Sequence, residues 1–406
     1  MDSPLSDPAP LKTNSLALWG ILGLAFSLRL VGIQFGLPYL YHADEPIVVN
    51  HALAYGVGDF NPHFFKIPPL VSYLLFVTYG FYFLGGRMLG LLRAPEDFEH
   101  LFYKDPSSFY LMGRFIFGVL AGTATVYFFY RLILKWFGHE RALLSAFLLA
   151  VSFLHVRDSH YIYLDTPLVL ILVLGFFFVL SLVSSKNRLS LHLFNGAMIG
   201  LATAAKYNGA ALAIPYLYVT LFTADKKRIL GFCVLSGGAA AVTYFLLNPY
   251  SLLDFGFFWK EIAAQAKSHG GVGWTHHLKY SLIEGVGPPL FFLGLGGMIR
   301  AANPWNPTRA PFIIFLLAYY ALLALAGQPY DRYVLPLLPF LVFFAADFVL
   351  TLAERFKAGR RLLLGILIGG LALPSLVKSI LFDRLLHDII DSLVKLVAFG
   401  VNVVEV

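Results

Sequence analysis

The chain has 406 residues, of which 58% are hydrophobic and only 13% charged, with a formal net charge of +7 and a mean hydropathy of +0.73. Soluble globular chains carry about 25% charged residues, so this deficit excludes a water-soluble protein. The positive balance does not indicate nucleic acid, because the Lys and Arg residues sit in short clusters between apolar runs, as in the cytoplasmic loops of membrane proteins. The single cysteine, Cys233, excludes an intrachain disulfide.

A spanning helix needs about 20 mainly apolar residues. Residues 1–15 read as a cytoplasmic tail. The run 16–37 has no small-residue cleavage site, so it is predicted to be a retained first span rather than a signal peptide. Residues 37–109 form the first outer loop. Within it, 69–92 is apolar but opens with Pro68-Pro69 and carries Gly80, Gly85, Gly86 and Arg87, which predicts helices lying on or dipping into the outer face. Spans follow at 110–134, 142–162 and 167–184. The stretch 193–222 is too long for one span, has Lys206-Tyr207-Asn208 at its middle and basic clusters at both ends, and so predicts a short hairpin.

After the span 229–247 comes a second outer loop, 248–280. The run 278–299 is a weaker span, interrupted by Glu284, Pro288 and Pro289. Residues 311–327, 334–352 and 362–380 complete the set, and 381–406 reads as an amphipathic segment with Phe382, Leu385, Leu386, Ile389, Leu393 and Leu396 on one face. Backbone groups left open in lipid are costly, so the spans are helices. The fold class is an all-α polytopic membrane protein, with one transmembrane domain over 16–380 and about 11 passes.

Orientation comes from five basic groups: Arg131, Lys135 and Arg141; Lys186 and Arg188; Lys226 to Arg228; Arg300 and Arg309; and Arg355, Lys357, Arg360 and Arg361. If all face the cytoplasm, Asp44, Asp165, Asp254, His269 and Asp331 fall on the opposite side.

That opposite side carries the candidate chemistry. His42-Ala43-Asp44-Glu45-Pro46 sets two carboxylates side by side just past the first span. A carboxylate against a low-dielectric membrane is a better base for an alcohol proton; Asp44 also fits a helix N-cap, with Pro46 in the first turn. Lys66 is a lone cation before Pro68-Pro69, suited to a lipid phosphate or to simple snorkelling. His155 to Pro167 ends an apolar helix with two histidines, Arg157, Asp158 and Asp165, and ionisable groups at membrane depth are functional candidates. Arg157 and Asp158 also suit mutual neutralisation, and Asp165 a cap. Arg332, in the segment 328–333, fits a carboxylate or phosphate partner, and the loop around His269 fits the lining of a sugar or acceptor cleft. No spacing makes a metal site; a Mg²⁺ or Mn²⁺ ion on carboxylates stays open, and no other cofactor is implied.

Several motifs occur together in order: Leu28-Arg29-Leu30 before Asp44-Glu45, Lys66-Ile67-Pro68-Pro69-Leu70, Gly113-Arg114, His155 to Pro167, Gly200 to Tyr207 with Lys206, and Arg332-Tyr333-Val334-Leu335-Pro336. In this the chain resembles the GT-C superfamily of membrane glycosyltransferases, nearest to the protein O-mannosyltransferase and lipid A aminoarabinose transferase group. The resemblance implies a GT-C fold, a polyprenyl-phosphate-linked sugar donor, a lipid, glycan or protein acceptor hydroxyl, and inversion at the anomeric carbon. It implies a plasma or bacterial inner membrane location with the site on the periplasmic or extracellular face. It makes Asp44 the base, with Glu45 its neighbour, Asp165 the second acidic position and Lys66 the lysine near the carrier phosphate. Arg157 and Arg332 stand as further phosphate ligands, and His42, His155, Lys206 and His269 as other site candidates. The linker 93–109 is longer and more polar than this group leads one to expect. The competing class is a transporter or flippase of lipid-linked substrates, which would place its charges near the bilayer midplane.

Overall fold

The computed structural model describes residues 15–40, 42–185, 187–267, 273–324, 330–356 and 359–404, with side chains described to Phe382. Every regular element among them is helical. In chain order these are α1 (Ser15–Leu30), α2 (Glu45–Ala54), α3 (Leu70–Met88) and α4 (Pro95–Lys104). Then come α5 (Ser107–Phe137), α6 (His139–Val151), α7 (Phe153–Asp158) and α8 (Asp165–Ser184). They are followed by α9 (Leu189–Ala205), α10 (Ala213–Thr223), α11 (Ile229–Leu247) and α12 (Phe255–Lys267). The last are α13 (Gly273–Val286), α14 (Pro288–Ala301), α15 (Ala310–Ala324), α16 (Asp331–Glu354) and α17 (Arg360–Val404).

Helix α16 is the axis: 89% of its most apolar stretch is buried, against 11% for α11 at the periphery. Around it Phe176, Phe312, Phe315 and Phe340 stack with ring centroids 4.4 to 5.4 Å apart. Lipid tails are as apolar as these rings, so close packing and edge contacts, at about 0.5–1.5 kcal/mol a pair, hold the bundle rather than expulsion of water.

The expected hairpin is present. Lys206 leaves the helical conformation at the end of α9, and a 3₁₀ turn, Tyr207–Leu212, leads into α10. The two arms return to one end, where the Asp225 backbone N–H donates to Asn187 Oδ1 at 3.2 Å. Helix α11 then runs parallel to α9. A Cβ on Gly196 would lie 2.2 Å from the Ser236 carbonyl oxygen and one on Gly200 2.3 Å from that of Ala240, so only glycine permits this approach.

Three expectations take a different form. Span 142–162 is divided at Ser152, whose ψ of 114° ends α6. Span 278–299 is a broken pair, α13 and α14, bent by 111° where Gly287 takes a φ of 101° and Pro288 offers no N–H. Helix α17 continues unbroken past 381 to Val404, where a separate segment was expected. Among the described residues five helices are long and apolar enough to cross a membrane, six if the bent pair is one span. The sequence count of about 11 also included shorter helices such as Leu189–Ala205 and Ala310–Ala324. Helix α3 is not among the five.

The basic loops converge at one end. Arg141 at the start of α6, Arg300 at the end of α14 and Arg309 just before α15 all pair with Asp347 of α16. Arg360 Nη2 joins Glu140 at 2.8 Å, and Trp305 Nε1 donates to the Tyr218 hydroxyl at 2.7 Å, tying the hairpin to the same end. Lys186 and Lys357 lie outside the described residues. Arg332 lies at the far end of α16 from Asp347, and Arg157 on the short helix α7 that follows α6.

Candidate active site

Arg114 opens a π-helical turn in α5 and is fully buried, as is Glu45. Its Nε and Nη2 donate to the two Glu45 oxygens at 2.8 and 2.6 Å, while Nη1 donates to the carbonyls of Ile33 and Phe35. Glu45 Oε1 also accepts the Ile162 backbone N–H at 2.8 Å. One buried ion pair thus joins three segments: the loop after α1, the start of α2 and the turn before α8. Both Glu45 oxygens are committed, so Glu45 is an anchor and not a group open to a substrate.

Asp44, one residue away, faces another cation. Its Oδ2 lies 2.6 Å from Arg332 Nη2, and its side chain is 25% exposed. It occupies the N-cap position of α2 without making a side-chain cap hydrogen bond. The adjacent carboxylates therefore do not confront each other; each has its own arginine.

Arg332 continues to Asp165, with Nε 3.8 Å from Oδ2. Asp165 is 3% exposed, and its Oδ1 accepts from Lys206 Nζ at 2.6 Å. Asp44, Arg332, Asp165 and Lys206 thus form one line of alternating charge, supplied by the first loop, the start of α16, the start of α8 and the hairpin tip. Tyr163, Tyr330 and Tyr333 surround the Arg332 guanidinium at 4.8, 4.5 and 5.7 Å, and Lys206 lies 4.7 Å from the Tyr333 ring centroid. The aromatic faces exclude water from the cations and fix their direction.

A second group adjoins the first. Arg157 pairs with Asp158 at 2.9 Å and reaches Asp331 at 3.8 Å. Asp331 also faces His276 at 3.5 Å and accepts from Ser281 Oγ at 3.0 Å. Sequence reasoning placed Asp331 on the same side as Asp44 and Asp165 but gave it no role, gave none to Tyr163 and Tyr333 within their motifs, and missed Ser281. The only available signal was the adjacency of Asp331 and Tyr333 to Arg332.

The other candidates divide. His42 stacks on Tyr161 at 4.2 Å, and burial holds its imidazole below the usual range against the opposing pull of Glu45 and Asp44. His155 is fully buried behind the site, where its Nδ1 accepts from Arg29 Nη2 at 2.9 Å, which places its proton on Nε2. It does not reach the charged line. Lys66 is exposed, 5.8 Å from the Phe64 ring, and pairs with no carboxylate among the described residues. The Tyr207 hydroxyl donates to the Phe65 carbonyl at 2.8 Å, which sets the Lys66 loop beside the hairpin tip. Ile47, Val48, Phe64 and Ile67, with the polar His51 and Ser72, line a small hollow next to that loop. His269 lies outside the described residues.

Among the described residues no three His, Cys, Asp or Glu side chains converge as a metal site. Asp44 and Asp165 already face Arg332 and Lys206, a setting that does not fit a divalent cation held by these carboxylates.

Residues 109–250 match the family model described as dolichyl-phosphate-mannose-protein mannosyltransferase. No curated protein matches the sequence significantly. Among solved structures, the chain is similar to apo ArnT from Cupriavidus metallidurans, with a TM-score of 0.56 and 16% identity over 86% of this chain and 62% of that one. ArnT bound to undecaprenyl phosphate gives a TM-score of 0.59 at 16% identity, over 92% of this chain and 72% of that one. The oligosaccharyltransferase AglB from Archaeoglobus fulgidus, in complex with an inhibitory peptide and a dolichol-phosphate, gives 0.58 at 13% identity, over 92% and 55%. The chain thus spans less than two thirds of apo ArnT and about half of AglB. The fold it shares with them is the GT-C membrane fold that the sequence resemblance implied.

Proposed function

We propose that this multi-pass chain with the GT-C fold is a glycosyltransferase that moves a sugar from a polyprenyl-phosphate donor to an acceptor hydroxyl, with inversion, at the outer face of a plasma or bacterial inner membrane. One observation supports this above the rest: the line from Asp44 through Arg332 and Asp165 to Lys206 is open to the outside at its Asp44 end.

An alcohol is a poor nucleophile, so a base takes its proton as the new bond forms, a contribution of about 10²–10⁴-fold. Asp44 fits that role. Arg332 meets its Oδ2 at 2.6 Å, and the carboxylate remains 25% exposed. Asp165, itself held by Lys206, holds Arg332 in turn, so Asp44 is fixed in direction before an acceptor arrives. The leaving group is a phosphate that departs already charged, and it needs a cation more than a proton. Lys66 has no competing carboxylate among the described residues and stands beside the small hollow lined by Val48, Phe64 and Ile67. Arg157 and Arg332 are the further candidates for the phosphate, each already facing two carboxylates. One displacement inverts the anomeric centre without a covalent intermediate. No step is assigned to a metal.

The test is mass spectrometry of lipid co-purified with the wild type and with Lys66→Ala and Asp44→Asn. A polyprenyl phosphate or its glycoside is expected in the wild type and in Asp44→Asn, and depleted in Lys66→Ala. Bulk phospholipid alone in all three samples would overturn the donor assignment.

A further inference from the structure

The Lys66 side chain lies on a turn that does not hold itself. His63, three residues earlier, has a φ of 47°, a left-handed conformation that costs a non-glycine residue energy and persists only when its surroundings enforce it. Part of the enforcement is local: the His63 backbone N–H donates to Asn61 Oδ1, and its ring faces Asp59. The rest comes from elsewhere in the chain. The Asn61 side-chain amide donates to Asp254 Oδ2 at 3.0 Å. The Phe65 N–H donates to Glu261 Oε2 of α12 at 2.6 Å. The Phe65 carbonyl accepts from the Tyr207 hydroxyl, and its ring packs edge-on against Phe257 and Phe258 at 6.0 and 5.6 Å. Both backbone groups of the residue before Lys66 are thus gripped by side chains from other segments, one of them a carboxylate. The opposite side of α12 is apolar and open: Phe255 and Trp259 stack at 6.3 Å and are 52% and 60% exposed. Aromatic residues so presented settle at the headgroup level.

We infer that Glu261 is the positioning residue for the donor-phosphate lysine: α12 floats at the interface on Phe255 and Trp259, and its Glu261 fixes the height and direction of Lys66 through the Phe65 backbone. Glu261 does not touch the phosphate in this scheme. The inference rests on the assignment of Lys66 to the carrier phosphate, and it gives the second outer loop a part in donor binding.

The experiment titrates full-length protein in nanodiscs with a polyprenyl monophosphate, comparing wild type, Lys66→Ala, Glu261→Ala, Glu261→Gln and the double variant Lys66→Ala/Glu261→Ala. Glutamine keeps an acceptor oxygen for the Phe65 N–H, whereas alanine leaves that donor unpaired. The expected result is a loss of about tenfold in affinity for Glu261→Ala, the size of one charge-assisted hydrogen bond. Recovery to within about twofold of wild type is expected for Glu261→Gln, and no further loss when Lys66 is already alanine, because the two act as a unit. Tyr207→Phe, which removes the grip on the Phe65 carbonyl and keeps the ring, weakens binding in the same direction and serves if Glu261→Ala fails to fold. Wild-type affinity in Glu261→Ala beside weakened Lys66→Ala overturns the inference and leaves the functional reading intact. Additive losses in the double variant overturn it as well. Wild-type affinity in Lys66→Ala removes the lysine assignment itself.

Discussion

The two ends of the bundle use the same residue types for different ends. At the Asp44 end four carboxylates, Asp44, Asp158, Asp165 and Asp331, alternate with Arg157, Lys206 and Arg332, and tyrosine faces separate them. At the basic end three arginines from three segments crowd one buried carboxylate, Asp347, and Arg141 also reaches the more distant Glu354 at 3.9 Å. The Asp44 end is nearly balanced and keeps one carboxylate partly open. The basic end carries surplus positive charge and a carboxylate that is closed. The first arrangement suits proton transfer and phosphate support; the second suits orientation in the membrane and the clamping of α6, α14 and α16.

Three substitutions sharpen or break this division. Asp44→Asn has the largest expected effect, a loss of about 10²–10⁴-fold in initial transfer rate with little change in the thermal unfolding midpoint. An active variant would remove the base from Asp44. Asp347→Ala is the mirror experiment. It leaves three guanidinium groups without their buried counter-charge, and removing one partner of such a set costs about 3–5 kcal/mol. A fall in the detergent-solubilised melting point is expected, with the rate per folded molecule kept. A rate loss equal to that of Asp44→Asn would mean that the two ends are not separate. The smallest effect is expected for Arg300→Gln. Arg300 is 41% exposed and 3.7 Å from Asp347, so the change costs no more than about 1 kcal/mol, read as a small shift in the same melting curve.

Much of this plan was legible in the sequence because topology alone sorts residues by side. Asp44, Asp165 and Arg332 are spread over almost the whole chain, yet the positive-inside pattern placed them together, and the structure pairs them directly. Lys206 was legible as the tip of a hairpin, though not as the partner of Asp165. What the sequence could not show was direction. Asp44 and Glu45 look equivalent side by side; Arg114, 69 residues from Glu45, separates them by drawing one inward. His155 and Arg157 are two residues apart on the short helix α7 and face opposite ways, one toward Arg29 and one toward Asp331. The 111° bend between α13 and α14 was signalled by Pro288 and Pro289, but proline marks a break without giving its angle.

Helix α16 carries Arg332 at one end and Asp347 near the other, with an uninterrupted helical path between them. It behaves as a keyed shaft. A residue inserted or deleted between the two would turn one end against the other by about 100° and shift it by about 1.5 Å. No such change could leave both the Asp44 partner and the arginine clamp in phase. The length of this stretch is therefore held from both ends at once, more tightly than the identity of the apolar side chains along it.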